Sequence, residues 1–167
     1  MRRSWITDGR PRRVADARYR RWNFSPKANY RYTPQGRGGP GEHMPTGRVL
    51  VVDDETQVTD IVAEYFTSLG YDVDVAHDGA AALARAVAVR PDVVLLDINM
   101  PEVSGDQVLD RLRAIDPTVP IVMLTGNADA DIARSFLHRG ALDYVAKPFQ
   151  LDTLERIVAT AVAVGRR

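Results

Sequence analysis

The chain has 167 residues, is 45% hydrophobic and carries no cysteine, so it has the length of one ordinary domain and no means of disulfide, thiol or thiolate-metal chemistry. No apolar run approaches the roughly 18 residues of a membrane span and the arginine-rich start lacks an apolar signal core, so a soluble, cytoplasmic chain is expected. The formal net charge of zero hides two opposite parts: residues 1–47 hold 11 Lys/Arg against 3 Asp/Glu (net +8), and residues 48–167 hold 11 against 19 (net −8).

Residues 1–47 contain only Ile6 and Val14 as branched aliphatic side chains and no leucine, so nothing offsets the entropy of ordering them. A disordered basic tail and linker is expected, the Gly36 to Gly47 stretch with Pro40 and Pro45 being linker-like. Trp5, Tyr19, Trp22, Phe24, Tyr30 and Tyr32 stand among its arginines, a composition that can hold single-stranded nucleic acid by charge and stacking. A translation start at Met44 is the plain alternative, and it would leave the tail unmade.

From Arg48 onward short apolar runs alternate with amphipathic ones, the pattern of βα units around a parallel sheet. Val49 to Val52 reads as the first strand, ending at Asp53-Asp54-Glu55, and a helix from about Gln57 to Leu69 stops at Gly70. Val73 to Ala76 is a second strand; an alanine-rich helix from Gly79 to Val89 follows, and Pro91 breaks it. The β-branched run Val93 to Leu96 reads as a strand buried on both faces, ending at Asp97 before a Pro/Ser/Gly loop. A carboxylate is costly to bury, which places Asp97 at the C-terminal mouth of its strand, where an open α/β sheet keeps its chemistry. One aspartate at such a place is also a common turn or cap residue, so the remaining strand ends decide.

Val108, Leu109, Leu112 and Ile115 make a third helical stripe, and Pro117 and Pro120 bracket the turn into Ile121 to Leu124, which ends at Thr125-Gly126-Asn127. A fourth helix from about Asp129 to Arg139 closes at Gly140; Tyr144 to Ala146 is the last strand, ending at Lys147-Pro148-Phe149. Leu151, Leu154, Ile157, Val158, Ala161 and Val162 form a final helix. A doubly wound sheet gathers Asp53, Asp54, Asp97, Thr125 and Lys147 on one edge. Clustered carboxylates repel unless a cation neutralises them, which suits a hard divalent ion such as magnesium; lysine and threonine suit a phosphoryl group.

Val51-Val52-Asp53-Asp54-Glu55, Asp97-Ile98-Asn99-Met100-Pro101 with Ser104-Gly105, Thr125-Gly126, and Gly140 through Phe149 together resemble the receiver domain of two-component response regulators. The resemblance covers Arg48 to the C-terminus. It implies a five-stranded parallel sheet in the order 2-1-3-4-5 flanked by five helices. It also implies Asp97 as phosphoacceptor, and Asp54, Asp97 and the Asn99 carbonyl as Mg2+ ligands, with Asp53 acting through water. Lys147, before a cis bond to Pro148, would pair with the phosphoryl group or Asp97; Thr125 would bond a phosphoryl oxygen, and Tyr144 would swing inward after it. Phe136 and Leu142 depart mildly from the family pattern.

The expected function is a stand-alone receiver, a switch and not a conventional enzyme, phosphorylated by a sensor histidine kinase or histidine phosphotransfer protein. It would signal to a downstream protein through a changed surface formed by the fourth helix, fifth strand and fifth helix, or by phosphorylation-dependent homodimerisation. His43, His77 and His138 lie in no phosphoacceptor helix. The alternatives are a relay intermediate, the detached receiver of a hybrid kinase, or a nucleic-acid-binding protein acting through residues 1–47. A flavodoxin-like nucleotide binder is disfavoured, because no Gly-rich loop follows the first strand.

Overall fold

A computed structural model of the chain describes residues 46–126 and 130–165. Residues 1–45, including both tryptophans, His43 and Met44, lie outside the described residues, as does Asn127. Ten elements alternate: β1 (Arg48–Val52), α1 (Thr56–Ser68), β2 (Asp72–Ala76), α2 (Gly79–Val89), β3 (Val93–Asp97), α3 (Gly105–Ile115), β4 (Ile121–Thr125), α4 (Ala130–His138), β5 (Asp143–Ala146) and α5 (Leu151–Gly165). All strand pairs are parallel and the order is β2-β1-β3-β4-β5, as expected from the sequence.

Side chains alternate across a strand, so each central strand feeds two cores. Val49 and Val51 of β1 and Val93 and Leu95 of β3 pack with Val62 and Phe66 of α1 and Leu154 and Val158 of α5. Leu50, Val52, Val94 and Leu96 face the other way, onto Val108, Leu109 and Leu112 of α3 and Phe136 of α4. Each fully buried Val or Leu contributes about 1.5–3 kcal/mol of transfer free energy. The Phe136 departure is absorbed: its ring is buried in this second core, while Leu142 remains partly exposed.

Two glycines stop helices where the sequence places them. Gly70 (φ 87°) and Gly140 (φ 97°) adopt the left-handed conformation that favours glycine. After α1 the Tyr71 N–H reaches Phe66 O and the Gly70 N–H reaches Thr67 O; after α4 the Ala141 and Gly140 N–H groups bond Phe136 O and Leu137 O in the same pattern. These stops fix where β2 and β5 begin, and hence where β5 delivers Lys147.

Candidate functional site

Because β1, β3, β4 and β5 are neighbours and parallel, their C-terminal ends open onto one edge. Asp53 and Asp54 leave β1, Asp97 ends β3, Thr125 ends β4 and Lys147 follows β5. The sheet therefore assembles residues up to 94 positions apart, the separation of Asp53 from Lys147. One carboxylate oxygen from each of Asp53, Asp54 and Asp97 lies within 4.8 Å of the others.

The burial differs from the sequence expectation. Asp97 does end β3 at the sheet's C-terminal edge, yet it is only 2% exposed; Asp53 is fully buried and Asp54 is exposed. The Lys147 ammonium makes this tolerable, with Nζ 2.6 Å from Asp53 Oδ2 and 2.8 Å from Asp97 Oδ1. Asp53 Oδ1 also accepts the Glu55 N–H at 2.9 Å, and Asp97 accepts a hydrogen bond from the Asn99 backbone. Lys147 is itself anchored by its backbone N–H, which donates to Thr125 O at 2.7 Å; the Lys147-Pro148 bond that follows is cis.

Burial raises the Asp97 pKa above the ordinary carboxylate value; the Lys147 hydrogen bond and charge oppose this, and Asp53 adds to it. For Lys147 burial favours the neutral amine, but its hydrogen bonds to Asp53 and Asp97 outweigh that and raise its pKa, so the ammonium stays charged. Three carboxylates against one ammonium leave the cluster short of positive charge. Its donors are all hard oxygens, and these fit a divalent ion of the magnesium class.

Thr125 is buried beside the cluster, whereas Tyr144, paired with Met123 across β4 and β5, is 36% exposed and stands outward. Sequence reasoning missed three contributors. Gly105 opens α3 so close to β3 that a Cβ would collide with the Asp97 carbonyl, a constraint visible in sequence only as the glycine of the loop motif. Glu55 approaches Lys147 at 3.7 Å, and the His77 ring Nδ1 lies 3.2 Å from Asp53 O.

Residues 49–159 match the family model for the response regulator receiver domain, and the chain belongs to that family. Among curated relatives, Regulatory protein AtoC of Escherichia coli (strain K12) is 39% identical over 115 residues, which is 69% of this chain and 25% of that protein. Transcriptional regulatory protein PrrA of Mycobacterium leprae (strain TN) is 42% identical over 120 residues, 72% of this chain and 50% of the relative. The chain thus spans half or less of the length of these relatives. Among solved structures, the Francisella response regulator 1452 receiver domain matches with a TM-score of 0.67 and 30% identity, over 70% of this chain and 97% of that one. Vibrio cholerae chemotaxis protein CheY4 matches with a TM-score of 0.65 and 32% identity, over 68% and 97%. No helix among the described residues is long and apolar enough to cross a membrane.

Proposed function

We propose that residues 48–167 act as a phosphorylation switch in which Asp97 accepts a phosphoryl group from a phosphohistidine of a sensor kinase or phosphotransfer protein, residues 1–47 being an appended basic segment. The observation that carries this reading is the convergence of Asp53, Asp54 and Asp97 around the Lys147 ammonium. A free carboxylate oxygen of Asp97 attacks phosphorus; a P–O bond forms as the donor's P–N bond breaks, and the electron pair leaves with the imidazole, which takes up a proton. Asp54, Asp97 and the Asn99 carbonyl would hold Mg2+ directly and Asp53 through water. When bound, the ion screens the carboxylates from the incoming anion. Lys147 holds one Asp97 oxygen and neutralises charge on the transferred group, and the Thr125 hydroxyl donates to a phosphoryl oxygen.

The test is intact mass after incubation with acetyl phosphate. One phosphoryl adduct should form with Mg2+ and none without it, and Asp97→Asn should abolish it. An undiminished adduct in Asp97→Asn would overturn the assignment.

A second reading, favoured by the chain spanning a quarter of AtoC and half of PrrA, is the receiver part of a larger regulator or a relay intermediate. Rapid loss of the adduct to an added histidine phosphotransfer protein would favour the relay.

A further inference from the structure

A groove of about 870 Å³ runs between α1 and the start of α5, with Val58, Ile61 and Tyr65 on one wall and Phe149 and Leu151 on the other. Ile61 is 57% exposed, although it continues the apolar stripe of α1. The Tyr65 hydroxyl donates to Glu155 Oε2 at 2.6 Å and ties the two helices together, so the groove does not close by collapse. Its borders are acidic. Glu55 and Asp152 are exposed and line it, and α1 contains no Lys or Arg. The nearest cations are committed elsewhere: Lys147 to Asp53 and Asp97, while Arg156 lines a different depression beside Leu142 and Asp143.

The segment preceding the described residues leaves from the foot of this same face. The Thr46 N–H bonds Gly70 O, the Thr46 hydroxyl bonds Leu69 O at the end of α1, and a Cβ on Gly47 would touch Val162 of α5. From Leu69 up to Val58 is about 17 Å at 1.5 Å per helical residue. Roughly five extended residues cover that distance at about 3.3–3.6 Å each. Residues 33–45 are more than enough tether, which brings Arg21 to Tyr32 within reach. That stretch holds Trp22, Phe24, Tyr30 and Tyr32 with Arg21, Lys27 and Arg31, and no acidic residue.

We infer that residues 21–32 dock in the α1–α5 groove of their own chain, aromatic side chains against Ile61 and Phe149 and basic ones toward Glu55 and Asp152. A segment that cannot build a core alone can still order against an apolar surface, and a short tether makes the encounter intramolecular. This goes beyond the proposed function and does not depend on phosphorylation.

Both tryptophans precede Arg48, so a full-length Trp5→Phe protein reports on Trp22 alone. Without any phosphodonor, Trp22 emission should be blue-shifted and acrylamide quenching severalfold weaker than in a peptide of residues 1–45 carrying the same Trp5→Phe change. Ile61→Lys, at an exposed position that does not enter the core, should restore the peptide values. So should Arg21→Glu, Lys27→Glu and Arg31→Glu combined, which lie outside the domain and cannot unfold it. Peptide-like quenching in the full chain, or protection that survives these changes, would overturn the inference. Protection that appears only with rising protein concentration would assign the segment to a second copy, and protection only with an added single-stranded oligonucleotide would assign it to nucleic acid. Either result would overturn it equally.

Discussion

At the scale of single residues, the site is held by a conflict that Lys147 only partly resolves. Asp97 has a raised pKa, so the folded chain holds that proton more tightly than the unfolded chain does. The associated stability is fully present below the ordinary carboxylate value of about 3.9 and is lost as pH rises through the raised value. At neutral pH without divalent ions, Asp97→Asn should therefore melt at a higher temperature than wild type, and the gain should disappear at acid pH; an equal gain at both pH values would contradict this electrostatic origin. Gly105 makes the opposite kind of demand. Gly105→Ala must push α3 off the Asp97 backbone, and a loss of about 1–3 kcal/mol in urea unfolding is expected. That Asp53, Asp97, Thr125 and Lys147 gather at one edge was legible because each stands where an apolar run ends. What was not legible is that Asp97 and Asp53 are both buried, since that depends on an ammonium delivered from the far end of the chain.

At the scale of elements, the strands and helices could be read closely because alternation, glycine stops and proline breaks all agreed. The third helix begins at Gly105, ahead of its apolar stripe, where the glycine passes against β3. The contacts between α3 and α4 could not be read: the Arg139 guanidinium reaches Asp110 Oδ2 at 2.6 Å and Asp106 O at 2.9 Å, pairing that no local pattern announces. This tie and the Gly140 turn fix the end of α4 against α3. Forcing a side chain into the left-handed φ of Gly140 costs about 1–3 kcal/mol. Gly140→Ala should lower stability by that amount in urea titration while leaving acetyl phosphate labelling of Asp97 intact. Thr125 and Tyr144 are proposed to carry the output along β4 and β5, Tyr144 moving inward from its partly exposed position once Thr125 bonds the phosphoryl group. A ligand shifts a conformational equilibrium only through its differential affinity, so Thr125→Ala should still accept phosphate yet give much smaller chemical-shift changes around Tyr144 than wild type. A full wild-type response at Tyr144 in that variant would exclude this route.

At the scale of the whole molecule, the fold gathers three carboxylates of the acidic stretch 48–167 at one edge. A divalent ion that binds this edge only in the folded chain stabilises by mass action, so millimolar Mg2+ should raise the melting temperature of wild type and raise that of Asp54→Ala less. The charge division between residues 1–47 and the remainder was plain from composition, but the acidic groove at the foot of which the basic segment emerges required the packing of α1 on α5. The central claim is that one carboxylate among the three takes the phosphoryl group. Borohydride reduction after acetyl phosphate and Mg2+ treatment tests it most directly, because it converts an acyl phosphate to a stable alcohol whose place peptide mass mapping reveals. Reduction at position 97 alone is predicted, giving homoserine there; reduction at Asp53 or Asp54, or none in a protein that carries the mass of one phosphoryl group, would contradict it.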